Sequence, residues 1–124
     1  MRRSQTLTEI ATAVLQGMDG VLETARPELV LVHGDTSTTL YGAISAFYRQ
    51  IPIGHVEAGL RSGDRYSPWP EEANRLLTDR ISDLLFAPTP RARTALAAEG
   101  IAKGVVVTGN TGIDAVQQVA KRSH

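Results

Sequence analysis

Pro27-Glu28-Leu29-Val30-Leu31-Val32-His33-Gly34-Asp35-Thr36 sets four consecutive aliphatic residues between a proline and a glycine. Such a run is too short for a helix and too uniformly apolar for a strand with one wet face, so it reads as a strand buried on both sides. The same pattern recurs downstream. Pro52-Ile53-Gly54-His55-Val56, Asp83-Leu84-Leu85-Phe86-Ala87 and Val105-Val106-Val107 read as three further short strands. Between them the apolar spacing changes to that of helices. Thr38 to Tyr48 places Leu40, Ala43, Ile44 and Phe47 on one side, and Ala73, Leu76, Leu77 and Ile81 form a second stripe. Pro70 reads as the first helical residue there, with Glu71 and Glu72 in the first turn. Thr89 or Pro90 opens a third helix that Gly100 caps, and Asn110 or Thr111 opens a last one toward Lys121. Upstream, Leu7 to Leu22 is a helix that Pro27 ends. Strands alternating with helices imply an α/β fold, a parallel sheet with helices on both faces.

The 124 residues suit one domain or part of one, and 42% hydrophobic with 21% charged is ordinary globular composition. Lys plus Arg and Asp plus Glu are 13 each, so no global field draws the chain to nucleic acid or an anionic membrane. No apolar stretch reaches the roughly 20 residues of a membrane helix, and no signal-peptide core follows Met1-Arg2-Arg3. These features fit a cytoplasmic location. Cysteine is absent, which excludes disulfides and thiolate metal sites. GxGxxG and GxxxxGK[ST] are absent too, so the dinucleotide and P-loop fingerprints are missing. Neither a metal nor a cofactor is expected.

Chemistry concentrates where strands end. Asp35 follows the first strand, Glu57 ends the second, and Glu71 follows the loop after it. In a parallel sheet all three can meet at the carboxyl edge, where such folds bind ligands. Clustered carboxylates can divide acid and base roles between them. Arg61 and Arg65 offer forked donors for phosphate, and the turn before Thr38 offers backbone N–H groups. Each residue also has a plainer reading. Asp35 can cap the next helix or turn, and Glu71 pairs with Arg75 by i,i+4 spacing. Glu72 reads as a first-turn helix charge, His33 and His55 as hydrogen-bonded structural histidines, and Trp69 as a packed loop anchor.

Three strings carry a resemblance: Val32-His33-Gly34-Asp35-Thr36, His55-Val56-Glu57-Ala58-Gly59-Leu60-Arg61 and Ser67-Pro68-Trp69-Pro70-Glu71-Glu72-Ala73-Asn74-Arg75. In this order they resemble the non-hydrolysing UDP-N-acetylglucosamine 2-epimerase family, and the likeness runs from Leu7 to about Ala115. The resemblance implies a GT-B arrangement of two Rossmann-like domains with a UDP-sugar between them, usually in a homodimer. It implies interconversion of UDP-GlcNAc and UDP-ManNAc without nicotinamide, serving surface-polysaccharide synthesis. The C2 proton leaves, UDP is eliminated to give a 2-acetamidoglucal, and UDP adds back after reprotonation on the other face. Asp35, Glu57 and Glu71 match the family's three acidic site residues in its N-terminal domain.

The family's first strand, its Gly-Thr-Arg-Pro-Glu loop and its C-terminal domain have no counterpart in these 124 residues. Ser37 and Gly112 are smaller departures. The whole chain, 1–124, is therefore expected to be a partial domain, the second half of a GT-B N-terminal domain, and to lack epimerase activity alone. One piece of a split enzyme and a non-catalytic interaction remnant are the alternatives.

Overall fold

The computed structural model, which describes residues 5–109, follows the predicted alternation. In chain order it has α1 (Leu7–Ala25), β1 (Val30–His33), α2 (Ser37–Tyr48), β2 (Ile53–Val56), α3 (Glu71–Ile81), β3 (Leu84–Ala87), α4 (Pro90–Ala98) and β4 (Val105–Val107). Every strand lies within a residue of the predicted run. The helix expected from Asn110 or Thr111 lies outside the described residues.

Local chemistry sets the helix ends. Thr6 and Glu9 form a reciprocal capping box on α1, which runs on to Ala25 before Arg26 turns left-handed at φ 45°. Thr36 caps α2 by accepting from the Thr39 amide, and Thr89 caps α4 with Pro90 in its first turn. Pro70 sits one residue earlier than predicted, at the cap of α3 and without a side-chain cap bond.

The four strands are all parallel, in the order β1-β2-β3-β4. Register sets Val30 beside Ile53, and Val32, His55, Leu85 and Val105 in one row across the sheet. Side chains alternate between faces along a strand. The face with Val30, Val32, Ile53, Leu85, Ala87 and Val105 packs against Met18 and Leu22 of α1, Ala43 and Ala46 of α2, Ile81 of α3, and Ala92 and Leu96 of α4. The described helices thus share one face, as crossovers of constant hand require when strand order is sequential. The expected Rossmann-like parallel sheet is present, and among the described residues its helices form a single layer on one face. Leu31, Gly54 and Phe86 lie together on the opposite face, where a Cβ on Gly54 would come within 2.6 Å of the Leu31 side chain. No described helix is long and apolar enough to cross a membrane.

Two stripe assignments change. Phe47 is 52% exposed and Leu77 54% exposed, so both lie outside the core side of their helices.

Candidate functional site

At the carboxyl edge of the sheet the loops after β1 and β2 lie side by side. The Gly34 amide donates to Val56 O at 3.1 Å, which places the turn bearing Asp35 against the end of β2. Thr39 Oγ1 donates to His33 O at 2.8 Å and ties that turn to α2. Glu57 then bends the chain out of β2 with φ 71°. Non-glycine residues rarely adopt this left-handed backbone, and such strain gathers at functional sites. Its N–H and that of Ala58 both donate to Phe86 O, at 3.1 and 3.0 Å, so the bend is anchored on β3. Two residues on, Gly59 has φ 85°, and a Cβ there would lie 2.5 Å from Ala92 O. Only glycine lets this loop approach α4 so closely.

The three predicted carboxylates have different surroundings. Asp35 is held by Arg75, whose Nε and Nη2 donate to Oδ2 at 3.1 and 2.7 Å. The Asp35 carbonyl also accepts from Asn74 Nδ2 at 3.0 Å. It therefore docks the β1 loop onto α3, while capping of α2 falls to Thr36. Glu57 pairs through Oε1 with His33 Nε2. Glu71, half-buried in the first turn of α3, has no side-chain hydrogen bond or ion pair among the described residues. The structure thus brings Asp35 and Glu57 to neighbouring strand ends. Glu71 joins them only through its helix, four residues before the Arg75 that holds Asp35.

His33 is hydrogen-bonded, as read, but its partner is Glu57 at the site edge and its side chain is 60% exposed. Three plainer readings give way. Arg75 takes Glu72 rather than Glu71, with Nη1 3.0 Å from Glu72 Oε1. Glu72 itself is buried, and its Oε2 accepts from the Ser62 amide at 3.0 Å. Trp69 is exposed instead of packed, with its ring 5.5 Å from that of Tyr66. His55 keeps the structural role read for it. It is fully buried, with Nδ1 2.5 Å from Asp79 Oδ1 and Nε2 2.7 Å from Gly34 O.

Asp79 is the residue that sequence reasoning missed. It too is fully buried, and its Oδ2 accepts from the Gly59 amide at 3.0 Å and from Arg61 Nη1 at 2.9 Å. A signal did exist: Glu72, Leu76 and Asp79 fall at i, i+4 and i+7, so both acids share a helical stripe with a leucine.

Arg61 is held from two sides, since Nε and Nη2 also clamp Glu99 at 2.8 and 2.9 Å. Burial works against its charge, but Glu99 and Asp79 outweigh that and hold its pKa above the ordinary arginine value. Arg75 behaves alike: burial opposes its charge, and Glu72 and Asp35 raise it. Both guanidinium groups hold protein carboxylates, so Arg61 fits a brace better than a phosphate ligand. They border a cleft of about 380 Å³ that also touches Gly59, Ser62, Thr89 and Arg91.

A family model described as UDP-N-acetylglucosamine 2-epimerase matches residues 1–124. A probable UDP-N-acetylglucosamine 2-epimerase of Ralstonia nicotianae is 55% identical over 123 residues, 98% of this chain and 33% of that protein. The UDP-N-acetylglucosamine 2-epimerase of Escherichia coli is 52% identical over 117 residues, 94% of this chain and 31% of that one. Among solved structures, the Neisseria meningitidis UDP-GlcNAc 2-epimerase bound to UDP-GlcNAc superposes with a TM-score of 0.85 at 49% identity. That match covers 98% of this chain and 34% of the other. The Methanocaldococcus jannaschii enzyme in complex with UDP-GlcNAc and UDP gives 0.83 at 47%, covering 96% and 33%. The chain spans about a third of the length of the relatives it matches.

Proposed function

The chain belongs to the UDP-N-acetylglucosamine 2-epimerase family, and on that premise we propose that it carries acid–base groups for interconverting UDP-GlcNAc and UDP-ManNAc. A carboxylate takes the C2 proton, the C1–O bond to UDP breaks, and C1=C2 forms. A proton then returns to the opposite face of C2 and UDP oxygen rejoins C1. Asp35, Glu57 and Glu71 are the groups assigned to these transfers. Glu57 and His33 are paired so that a proton can pass between carboxylate and imidazole. Asp35 is held in one orientation by Arg75, and the Glu71 carboxylate has no partner among the described residues, which leaves it for substrate. The observation that carries this reading is the left-handed Glu57 at the end of β2, a carboxylate carried on a strained backbone that the Glu57 and Ala58 N–H groups anchor to Phe86 O of β3. UDP-GlcNAc, the ligand in the Neisseria structure, is the proposed substrate. A homodimer working in the cytoplasm on precursors of surface polysaccharide completes the proposal.

The 124-residue polypeptide alone is expected to be inactive. It covers about a third of its relatives, and binding energy from remote parts of a substrate is needed at the reacting centre. The test is solvent-deuterium incorporation at C2 of UDP-GlcNAc, followed by NMR in a full-length family enzyme carrying this segment. Glu57→Gln should slow exchange by about 10²- to 10⁴-fold, the usual worth of a positioned acid or base. Exchange at the parent rate would refute the assignment, and UDP-ManNAc formed by the isolated chain would refute the predicted inactivity.

A further inference from the structure

One buried pair joins the two acidic loops from beneath. His55 Nε2 lies 2.7 Å from Gly34 O, which can only accept, so Nε2 carries a hydrogen. His55 Nδ1 lies 2.5 Å from Asp79 Oδ1, so a proton sits between those atoms as well. Asp79 Oδ2 accepts from the Gly59 amide at 3.0 Å and from the Arg61 guanidinium at 2.9 Å. Two donors on that oxygen, one of them cationic, favour the ionised carboxylate and leave the shared proton on the ring. We propose that His55 is a buried imidazolium with Asp79 as its counter-ion, and that this pair is the positioning device that holds the Asp35 loop in register with the Glu57 loop.

The path is short and closed. Gly34 immediately precedes Asp35, and Gly59 follows Glu57 by two residues. Between them run only Gly34 O, the His55 ring, the Asp79 carboxylate and the Gly59 amide, and both side chains are fully buried. A neutral His55 would move the shared proton onto Asp79 Oδ1 and set a neutral carboxyl against the Arg61 guanidinium and the Gly59 amide. Burying such a charged pair is worthwhile only when the remaining lone pairs are satisfied, and here each oxygen of Asp79 is. The roles of Asp35 and Glu57 rest on the function proposed above, whereas the clamp itself is testable without turnover.

The experiment is a long-range 1H–15N correlation of the His55 ring in the 15N-labelled chain at pH 7, assigned by replacing the other two histidines. Both ring nitrogens should give the protonated signature. Asp79→Asn, which keeps the volume and removes the counter-ion, should convert His55 to a ring protonated only at Nε2. It should also raise amide hydrogen exchange at Gly34 and Glu57 together, by on the order of tenfold, with Leu22 in α1 unchanged. An unprotonated nitrogen in the parent chain would overturn the proposal, as would exchange at Gly34 and Glu57 that ignores the substitution. Should Asp79→Asn not fold, the parent spectrum decides alone. A failed epimerase assay leaves the clamp standing, and a neutral His55 leaves the epimerase reading standing.

Discussion

Ile53 and His55 stand two residues apart on β2, on the same face and equally inaccessible to solvent, yet they are held by different physics. Ile53 lies among Leu22, Ala43, Ala46, Val30 and Val32, where burial of apolar area is the whole interaction. His55 lies among Asp79, Gly34 and the Gly59 loop, where every polar group must find its partner. Along β2 the lower half is therefore a packing problem and the upper half a hydrogen-bonding problem. Apolar packing tolerates substitution in proportion to volume. A polar network fails when one member goes, because the rest stay buried. The half that cannot relax is the half that carries the carboxylates.

Substitutions in each half test that contrast. Asp79→Ala should have the largest effect, about 3–5 kcal/mol of lost stability by urea unfolding, since it strands His55 and removes one of the two carboxylates that pair with Arg61. A loss under about 1 kcal/mol would erase the distinction between the halves. Ile53→Ala should cost about 3 kcal/mol, and Ile53→Val about 1, a graded response that the polar half should not reproduce. Glu72→Gln should cost about 1–3 kcal/mol by weakening the bonds to Arg75 and the Ser62 amide. Glu57→Gly should reverse the sign and stabilise the chain by about 0.5 kcal/mol through relief of its left-handed backbone, while removing the proposed acid–base group. The smallest effect lies far from both halves. Hydrogen bonds with the Thr6 backbone and then its side chain hold the Glu9 carboxyl below its usual pKa. Its contribution is full above the ordinary glutamate range and is lost as pH falls through the lowered value. Glu9→Gln should therefore be slightly destabilising near neutral pH and match the parent in strong acid, as thermal melts at both pH values would read.

The sheet was legible because its signals are local. Leu29 to Val32 needs only its own composition and the flanking Pro27 and Gly34 to be read as a strand. The placement of Asp35 and Glu57 at one edge of the sheet follows from parallel strands alone, while the adjacency of their strands comes from the structure. What escaped depends on partners distant in sequence. Glu72 reads as a solvated first-turn charge until Ser62 and Arg75 are seen around it. Asp79 reads as one more polar helix residue until His55 and Gly59 are seen to need it. Trp69, Phe47 and Leu77 mislead in the opposite direction: their size predicts burial, but the described fold leaves each of them more than half exposed.

The contact of Gly59 with the Ala92 carbonyl also divides the glycines of this chain for anyone wishing to engineer it. A methyl at Gly59 would strike backbone at 2.5 Å in a conformation that disfavours it, so a library randomised there should return only glycine among folded clones. Gly17 and Gly20, inside α1, have nothing within 4 Å of the place a methyl would occupy. Alanine at those two should stiffen α1 by roughly 0.5–1 kcal/mol each. The same residue type thus marks both a position closed to any side chain and positions open to one, and the cheapest gain in robustness lies at the end of the molecule that leaves the acidic loops untouched.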